Sequence, residues 1–204
     1  MIDAMLLPLQ RRLLAPPARM LVRAGVQADQ ITVAGFVLGL GCLAALATGA
    51  WTIGLGLLLL NRLADGLDGA IARLRGPSDR GAFLDIALDF AFYALFPLGF
   101  ALADPANALP AAVLIAAFMG TGSSFLAFAV LAARRGQEAA DYPGKGIYYL
   151  GGLTEGAETI VVFAAMCLWP AAFPVLAWGF ALACAVTTLS RWWQGWTVFG
   201  AAAD

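Results

Sequence analysis

Four aspartates lie at helical spacing in two neighbouring apolar stretches of the sequence. Asp65 and Asp68 are three residues apart, and Asp85 and Asp89 are four apart, so each pair occupies one face of a helix. The short link 74–81 brings these two faces together. An aspartate near the centre of a membrane helix costs about 2.5–3.5 kcal/mol on insertion scales. Because packing does not explain four of them, we predict a functional site.

The available side-chain types narrow the chemistry of this site. The chain has no histidine, so acid–base catalysis falls to carboxylates. Its three cysteines, Cys42, Cys167 and Cys184, are far apart in apolar stretches and form no zinc spacing. Carboxylate oxygens alone suit Mg²⁺, Mn²⁺ or Ca²⁺. Two such ions can hold a phosphate or pyrophosphate, so we predict a two-metal site for that kind of group.

The neighbours of the aspartates each allow two interpretations. Gly66, Gly69 and Gly81 remove side chains, as either close helix packing or close approach of a ligand requires. Arg62 lies about one helical turn deeper than Asp65, and pairing with a carboxylate is favoured over contact with a ligand. Arg73 is either a phosphate-binding group or a cation that flanks a membrane span.

The composition indicates that the elements positioning these residues are membrane helices. Of the 204 residues, 62% are hydrophobic and 12% are charged, whereas soluble domains have about 25% charged residues. The mean hydropathy is +0.83. Twelve basic and thirteen acidic residues give a net charge of −1, which excludes a basic surface for nucleic acid.

Six segments are long and apolar enough to span a bilayer, which needs about 20 residues per helix. They are 30–49, 51–74, 82–103, 110–133, 153–170 and 174–194. We therefore predict an all-α integral membrane protein with six transmembrane helices. Residues 28–204 form its single membrane domain.

The distribution of cations predicts the orientation. Arginines precede the first span and surround the link 74–81, and Arg134, Arg135 and Lys145 fill the fourth loop. The three other connections are short and nearly free of charge. Because cationic loops stay in the cytoplasm, both termini and the site are expected there, in a bacterial-type inner membrane.

Residues 1–27 differ from the rest of the chain. Leucines alternate with arginines in this segment, and Pro8, Pro16 and Pro17 interrupt it. This pattern predicts one or two short amphipathic helices on the cytoplasmic leaflet, with arginines near anionic head groups.

The residues from Asp65 to Asp89 resemble the signature of the CDP-alcohol phosphotransferase (CDP-alcohol phosphatidyltransferase) family. That signature is D-x2-D-G-x2-A-R followed by G-x3-D-x3-D. Every fixed residue is present: Asp65, Asp68, Gly69, Ala72, Arg73, Gly81, Asp85 and Asp89. The gap between Arg73 and Gly81 is one residue shorter than in the usual pattern, and this difference lies in the link.

The resemblance implies a reaction and a set of roles. In the family, an alcohol attacks a CDP-linked donor, often CDP-diacylglycerol. CMP leaves, and the other product is a phosphodiester of a phospholipid. By position, Asp65, Asp68, Asp85 and Asp89 bind two Mg²⁺ or Mn²⁺ ions, and Asp89 is also the general base. Gly69, Ala72 and Gly81 let cytidine approach, and Arg73 contacts the diphosphate. A six-helix bundle that is commonly a homodimer is expected.

The start of the first span resembles the P-N-x-I-T sequence of many family members. Here Ala28 and Asp29 replace the proline and the asparagine, and Thr32 is retained. Thr32 either contacts the nucleotide or caps the helix, as Asp29 could, and capping is favoured.

The alcohol acceptor has candidate ligands near the fifth span. Glu155 and Glu158 share one helix face, so they could bind a cationic or polyhydroxylated acceptor or pair with basic residues of the loops. Lys145 and Arg134 could anchor a phosphate-bearing acceptor, or could only retain the loop in the cytoplasm.

Two other function classes remain open at this point. A divalent-cation transporter could use the four aspartates as its path, although they crowd one end of the spans. A non-enzymatic membrane scaffold would leave the aspartates unexplained.

Overall fold

The computed structural model describes residues 2–136 and 152–200, with side chains from residue 8 onward. Every regular element in these two ranges is a helix, which confirms the predicted all-α class. The α-helices are α1 (Ile2–Arg23), α2 (Ala28–Ala47), α3 (Trp51–Arg75), α4 (Asp79–Ala103), α5 (Ala108–Arg134), α6 (Gly156–Leu168) and α7 (Phe173–Gly200). Short 3₁₀ turns at Pro105–Asn107 and Pro170–Ala172 precede α5 and α7.

Four helical segments meet the length and apolarity that a membrane crossing needs. They are Ala28–Ala47, Asp79–Ala103, Pro105–Arg134 and Pro170–Gly200, so the chain is an integral membrane protein. The two other predicted spans differ for separate reasons. Helix α3 contains Arg62, Asp65 and Asp68 in its middle turns, which lowers its apolarity. Helix α6 has only 13 residues, because it begins at Gly156 rather than at residue 153 and ends at Leu168 rather than at residue 170.

The link between α3 and α4 is a sharp turn. Gly76 ends α3 with φ 96°, a backbone conformation that favours glycine. Ser78 then caps α4, since its hydroxyl accepts a hydrogen bond from the Gly81 backbone N–H at 3.1 Å. We call this end of the bundle, where α3 ends and α4 begins, the motif end. The turn places the aspartates of α3 and α4 at similar heights along the helix bundle.

The α2–α3, α4–α5 and α6–α7 connections lie at the opposite end of the bundle. Thr48, Asp104 and Pro170, one from each connection, line one cavity there. Beside it, the rings of Phe100 and Phe173 stack with centroids 4.3 Å apart. Aromatic packing continues inward with Phe96 and Phe163, whose centroids are 3.8 Å apart. This apolar core holds α3 and α4 against the rest of the bundle from the end away from the aspartates.

Helix α1 is one continuous helix through Pro8, Pro16 and Pro17, where the sequence predicts one or two shorter pieces. It packs along α3, and Ala18, Ala70 and Ile71 are buried between the two helices. Prolines in a helix interior cost about 3 kcal/mol or more, and this packing offsets part of that cost. The N-terminal segment therefore lies beside the helix that contains Asp65 and Asp68.

Candidate active site

The four aspartates line one cavity at the motif end. Asp65 and Asp68 come from α3, and Asp85 and Asp89 come from α4. The cavity has a volume of about 20 Å³, which is room for a water molecule or a small ion rather than a nucleotide. Its remaining lining residues are Thr32, Gly35, Phe36, Asn61, Arg62 and Leu88. The predicted convergence of the two acidic faces is thus present.

Close packing of α2 against α3 and α4 forms the floor of this cavity. A Cβ added at Gly35 would lie 2.9 Å from Ala64 Cβ, and one added at Gly39 would lie 2.7 Å from the Phe92 ring. The buried Asn61 amide donates to the Gly35 carbonyl at 2.8 Å. These contacts fix the rotation of α3, so that its acidic face points toward α4.

Thr32 is part of the site and does not cap its helix. Its hydroxyl lies 2.6 Å from Asp68 Oδ2 and 3.1 Å from the Ala28 carbonyl. The cap of α2 is Gln27, whose backbone N–H donates to Gln30 Oε1 at 3.0 Å. Asp29 does not cap either, because its carboxylate pairs with Arg80 at 2.6 Å. The favoured interpretation of Thr32 and Asp29 as caps was therefore wrong.

Arg62 contacts two of the four carboxylates. Its Nη1 lies 2.6 Å from Asp89 Oδ1 and 3.9 Å from Asp65 Oδ2. The same guanidinium donates from Nε to Asn61 Oδ1 at 2.7 Å. This confirms the expected pairing of Arg62 with a carboxylate. The guanidinium also supplies a positive charge between the acidic faces of α3 and α4.

The donor chemistry of the cavity fits a hard divalent cation. Its ionisable groups are four carboxyl groups and one guanidinium, and its neutral polar groups include Thr32 and Asn61. Oxygen-only ligation of this kind suits Mg²⁺ or Mn²⁺. Within the described ranges, however, no three carboxylates are close enough to form a ready metal-binding group. Mutual repulsion of the carboxylates and the pairing of Asp89 with Arg62 both favour this open arrangement.

The glycines of this region have different surroundings. A Cβ added at Gly66 would lie 2.6 Å from Leu14 Cδ1 and 3.0 Å from Gln10 Nε2, both on α1. At Gly69, the one neighbour within 4 Å in the described part of the chain is Arg73 Nη1, at 3.3 Å. Gly66 therefore serves packing against α1, whereas the face of Gly69 is open to a ligand.

Arg73 and Gly81 lie beside this open face at the motif end. The exposed Arg73 side chain reaches back toward Gly69. A Cβ added at Gly81 would lie 3.1 Å from Asp29 Oδ1 and from Ser78 Oγ, so this position has little spare room. Ala72, one residue before Arg73, is partly buried. The small residues and the arginine of the signature thus share the end at which α3 and α4 meet.

The candidate acceptor residues are more dispersed. Glu155 and Glu158 belong to the N-terminal cap of α6: Glu155 Oε1 accepts from the Gly152 N–H, and Glu158 Oε2 accepts from the Glu155 N–H, both at 3.2 Å. Arg134 is exposed at the end of α5. Lys145 lies outside the described residues. Neither glutamate lines the aspartate cavity.

A second buried polar cluster was not identified from the sequence. Arg191 of α7 is buried, and its Nη1 donates to the Thr121 carbonyl of α5 at 3.0 Å. Thr187, one turn earlier, is buried and hydrogen-bonded to Thr154 at 3.1 Å. In the sequence, Arg191 is the charged end of an apolar span, which is the usual pattern of a membrane flank. Only the folded arrangement reveals that it faces inward.

Comparison with known proteins gives the family. The sequence model of the CDP-alcohol phosphatidyltransferase family matches residues 26–190, which includes the aspartate signature. Inner membrane protein YnjF of Escherichia coli (strain K12) is 51% identical over 197 residues, covering 96% of each chain. Archaetidylinositol phosphate synthase of Methanothermobacter thermautotrophicus is 40% identical over 83 residues, 40% of this chain and 41% of that one.

Solved structures with the same fold come from Mycobacterium tuberculosis phosphatidylinositol phosphate synthase. Its structure with CDP-DAG bound has a TM-score of 0.68 and 26% identity, covering 91% of this chain and 94% of that one. Its complex with manganese and citrate has a TM-score of 0.65 and 25% identity, covering 90% and 89%. The chain described here therefore belongs to the CDP-alcohol phosphatidyltransferase family and is a transferase of substituted phosphate groups.

Proposed function

We propose that this protein transfers a phosphatidyl, or another substituted phosphoryl, group from a CDP-linked donor such as CDP-diacylglycerol to an alcohol, and releases CMP. The observation that carries the proposal is the convergence of Asp65, Asp68, Asp85 and Asp89 on one cavity, at the spacing of the family signature. The relative crystallised with CDP-DAG supports the choice of donor.

The four carboxylates are the proposed ligands of two divalent ions, Mg²⁺ or Mn²⁺. The carboxylate oxygens of the lining support this assignment, as does the manganese complex of the phosphatidylinositol phosphate synthase. When bound, such ions neutralise the charge that develops on the diphosphate as CMP leaves.

Asp89 is the proposed general base. An alcohol is a weak nucleophile, and a carboxylate within hydrogen-bond reach assists it by accepting its proton. The alcohol oxygen then bonds to the phosphorus of the phosphatidyl group, the bond from that phosphorus to the bridging oxygen breaks, and CMP takes the electron pair. No histidine is present in the chain to compete for this role.

Five residues at the motif end are proposed to hold the nucleotide and its diphosphate. Gly69 offers an open helix face, and Arg73 reaches back over it with a planar guanidinium suited to phosphate oxygens. Ala72 and Gly81 keep the neighbouring surface small. Thr32, which is hydrogen-bonded to Asp68, lies on the α2 side of the same cavity.

We propose that α3 and α6 cross the membrane together with the four apolar segments, which gives six transmembrane helices. Helix α3 has 25 residues, enough for a bilayer core of about 30 Å. The motif end and both termini are assigned to the cytoplasm because the arginines concentrate there. Residues 1–27 form the amphipathic cytoplasmic segment, and a homodimer is expected from the family.

The acceptor is proposed to bind near the start of α6. Glu155, Glu158 and Arg134 are candidate contacts there, with Lys145 from the adjacent loop. Both glutamates also accept the hydrogen bonds that cap the start of α6.

The test is a screen of purified protein with CDP-diacylglycerol and a panel of alcohols, scored by formation of CMP. The expected result is CMP release that needs one particular alcohol, stops with EDTA and returns with Mg²⁺ or Mn²⁺. Divalent-ion flux into proteoliposomes without CMP release from any alcohol would favour the transporter and contradict the proposal.

A further inference from the structure

Arg62 occupies the space between two carboxylates that belong to different helices. Its Nη1 is 2.6 Å from Asp89 Oδ1 on α4 and 3.9 Å from Asp65 Oδ2 on α3. A divalent ion shared by these two carboxylates would lie in the same region. Arg62 is not a fixed residue of the D-x2-D-G-x2-A-R signature, because it lies three residues before the first aspartate.

Contacts with neighbouring side chains hold the guanidinium in this position. Its Nε donates to Asn61 Oδ1 at 2.7 Å, and the Asn61 amide in turn donates to the Gly35 carbonyl of α2 at 2.8 Å. The rings of Phe92 and Tyr93 lie 5.1 and 5.6 Å from the guanidinium carbon, within cation–π range. Arg62 is therefore fixed by all three helices that surround the cavity.

The surroundings distinguish this ion pair from the one beside it. The Arg62 and Asp89 side chains are 15% and 27% exposed, whereas Arg80 and Asp29, which pair at 2.6 Å, are 73% and 18% exposed. The two pairs therefore differ in the exposure of the arginine, and water screens the charge of an exposed arginine, which makes such a pair worth little. The less exposed charges interact more strongly, and loss of one partner leaves the other uncompensated.

From this geometry we infer that Arg62 is an internal counter-ion of the catalytic carboxylates, which bridges Asp65 and Asp89 and competes with divalent metal for them. It is a positioning residue: it contacts carboxylates and is not assigned any contact with substrate. In the metal-free protein it offsets repulsion among the aspartates and orients Asp89. A divalent ion that binds Asp65 and Asp89 has to displace the guanidinium, which weakens metal affinity.

The experiment measures Mn²⁺ binding to purified full-length protein by electron paramagnetic resonance, after removal of metal with EDTA and dialysis. The variants are Arg62→Gln, Arg62→Lys and the matched control Arg80→Gln, which breaks a pair of the same length outside the cavity. The Arg62 guanidinium and Mn²⁺ are both positively charged and repel each other strongly at a few ångströms. Arg62→Gln should therefore bind Mn²⁺ about tenfold or more tightly than wild type. The Mn²⁺ affinity of Arg62→Lys should stay within about threefold of that of wild type, and the affinity of Arg80→Gln should equal that of wild type.

A second readout is thermal unfolding of the same samples. Arg62→Gln should unfold at a lower temperature than wild type in EDTA, and saturating Mn²⁺ should remove most of the difference. A purely structural role for Arg62 would lower the unfolding temperature equally with and without Mn²⁺, and that result would overturn the inference.

Unchanged or weaker Mn²⁺ binding by Arg62→Gln would also overturn it. If Arg62→Gln does not purify as folded protein even with Mn²⁺, Arg62→Lys decides, because a tenfold loss of Mn²⁺ affinity there is incompatible with the inference. The inference rests on the metal site of the proposed function. Wild-type protein that binds no Mn²⁺ at these carboxylates would refute that site itself, whereas equal binding by wild type and Arg62→Gln would refute only the role of Arg62.

Discussion

Asp89 is the residue on which the proposed chemistry depends most. It lines the cavity shared with the other three aspartates, and its carboxylate is close enough to Arg62 to be held in one orientation. Replacement by asparagine keeps the shape of the side chain and removes its ability to accept a proton. We expect Asp89→Asn to lower the rate of CMP formation by at least about 100-fold, measured with purified protein at saturating donor.

The matched control is Asp104→Asn at the opposite end of the bundle. Asp104 accepts a hydrogen bond from the Ala106 N–H at 2.9 Å, and an asparagine oxygen can accept the same bond. This variant should therefore keep wild-type activity. Full activity of Asp89→Asn, with an unchanged unfolding temperature, would remove Asp89 from the role of base.

Two glycines three residues apart should respond differently to the same substitution. Gly66→Leu inserts a side chain where Leu14 and Gln10 of α1 already lie, and overpacking of this kind costs about 1–3 kcal/mol of folding stability. Gly69→Leu extends into an open face, so stability should be retained, while the KM for CDP-diacylglycerol should rise about tenfold, equivalent to about 1.4 kcal/mol of binding.

The measurements are thermal unfolding and steady-state kinetics on both variants. If Gly69→Leu left the KM for the donor unchanged, the assignment of Gly69 to the nucleotide site would be wrong. A loss of stability in Gly69→Leu as large as in Gly66→Leu would show instead that both positions serve packing.

The sequence predicts the acidic side chains of the site well and their hydrogen-bond partners poorly. The spacing of Asp65, Asp68, Asp85 and Asp89 fixes which helix face they share, because helical periodicity is a local property. The hydrogen bond from Thr32 to Asp68 joins residues 36 positions apart. It depends on the packing of α2 against α3, which no local pattern encodes.

Helix α1 has no obvious role in the sequence, and in the structure it contacts α3 directly. Ala18 is fully buried against α3, and Leu13 is 64% exposed on the other side of α1. We expect Ala18→Leu to destabilise the protein by about 1–3 kcal/mol through overpacking. Leu13→Ala should change stability in detergent by less than about 0.5 kcal/mol.

Chemical denaturation of both variants, followed by tryptophan fluorescence, tests this difference. Equal stability of Ala18→Leu and wild type would mean that α1 does not dock on α3 in the folded protein. A large effect of Leu13→Ala in detergent would place the exposed side of α1 in a protein contact.

The start of α6 is a helix boundary that the sequence did not predict. The predicted span 153–170 becomes the shorter α6, because Glu155 and Glu158 satisfy backbone groups at its start. The sequence also suggests both residues as ligands of an acceptor, because a pair at i, i+3 suits a ligand as well. A capping box and a ligand pair have the same spacing, so only the hydrogen bonds tell them apart.

For the whole molecule, the proposed topology makes the two ends of the bundle face different compartments. The three cysteines are buried, so they should react slowly with a charged maleimide. Single cysteines introduced as Arg134→Cys and Ala106→Cys lie at exposed positions of α5 and of the connection before it. In intact spheroplasts, the impermeant reagent should label Ala106→Cys and leave Arg134→Cys unlabelled.

Inverted membrane vesicles should reverse this labelling pattern. Labelling of Arg134→Cys in intact spheroplasts would place the motif end outside the cytoplasm. Wild-type protein, treated in parallel, gives the background of the buried cysteines.

The global arrangement was the part that composition predicted best. An apolar chain with few charges and regular long segments has few alternatives to a helix bundle in a bilayer. Composition did not reveal that Arg191 and Thr187 are buried in a second polar cluster, because inward and outward faces of an apolar helix look alike in sequence. Helix α3 carries Arg62, Asp65 and Asp68 in its middle turns, and it is not among the four helical segments that meet the length and apolarity of a membrane crossing.

The proposed function requires the acidic faces of α3 and α4 to bind, together, the metal that drives transfer. Anomalous diffraction from crystals of the protein soaked in Mn²⁺ locates that metal. We expect peaks between the two helices, with carboxylate oxygens of Asp65, Asp68, Asp85 and Asp89 at about 2.0–2.6 Å from the ions. An active protein whose Mn²⁺ peaks lie elsewhere, with no density between these aspartates, would contradict the proposed metal site.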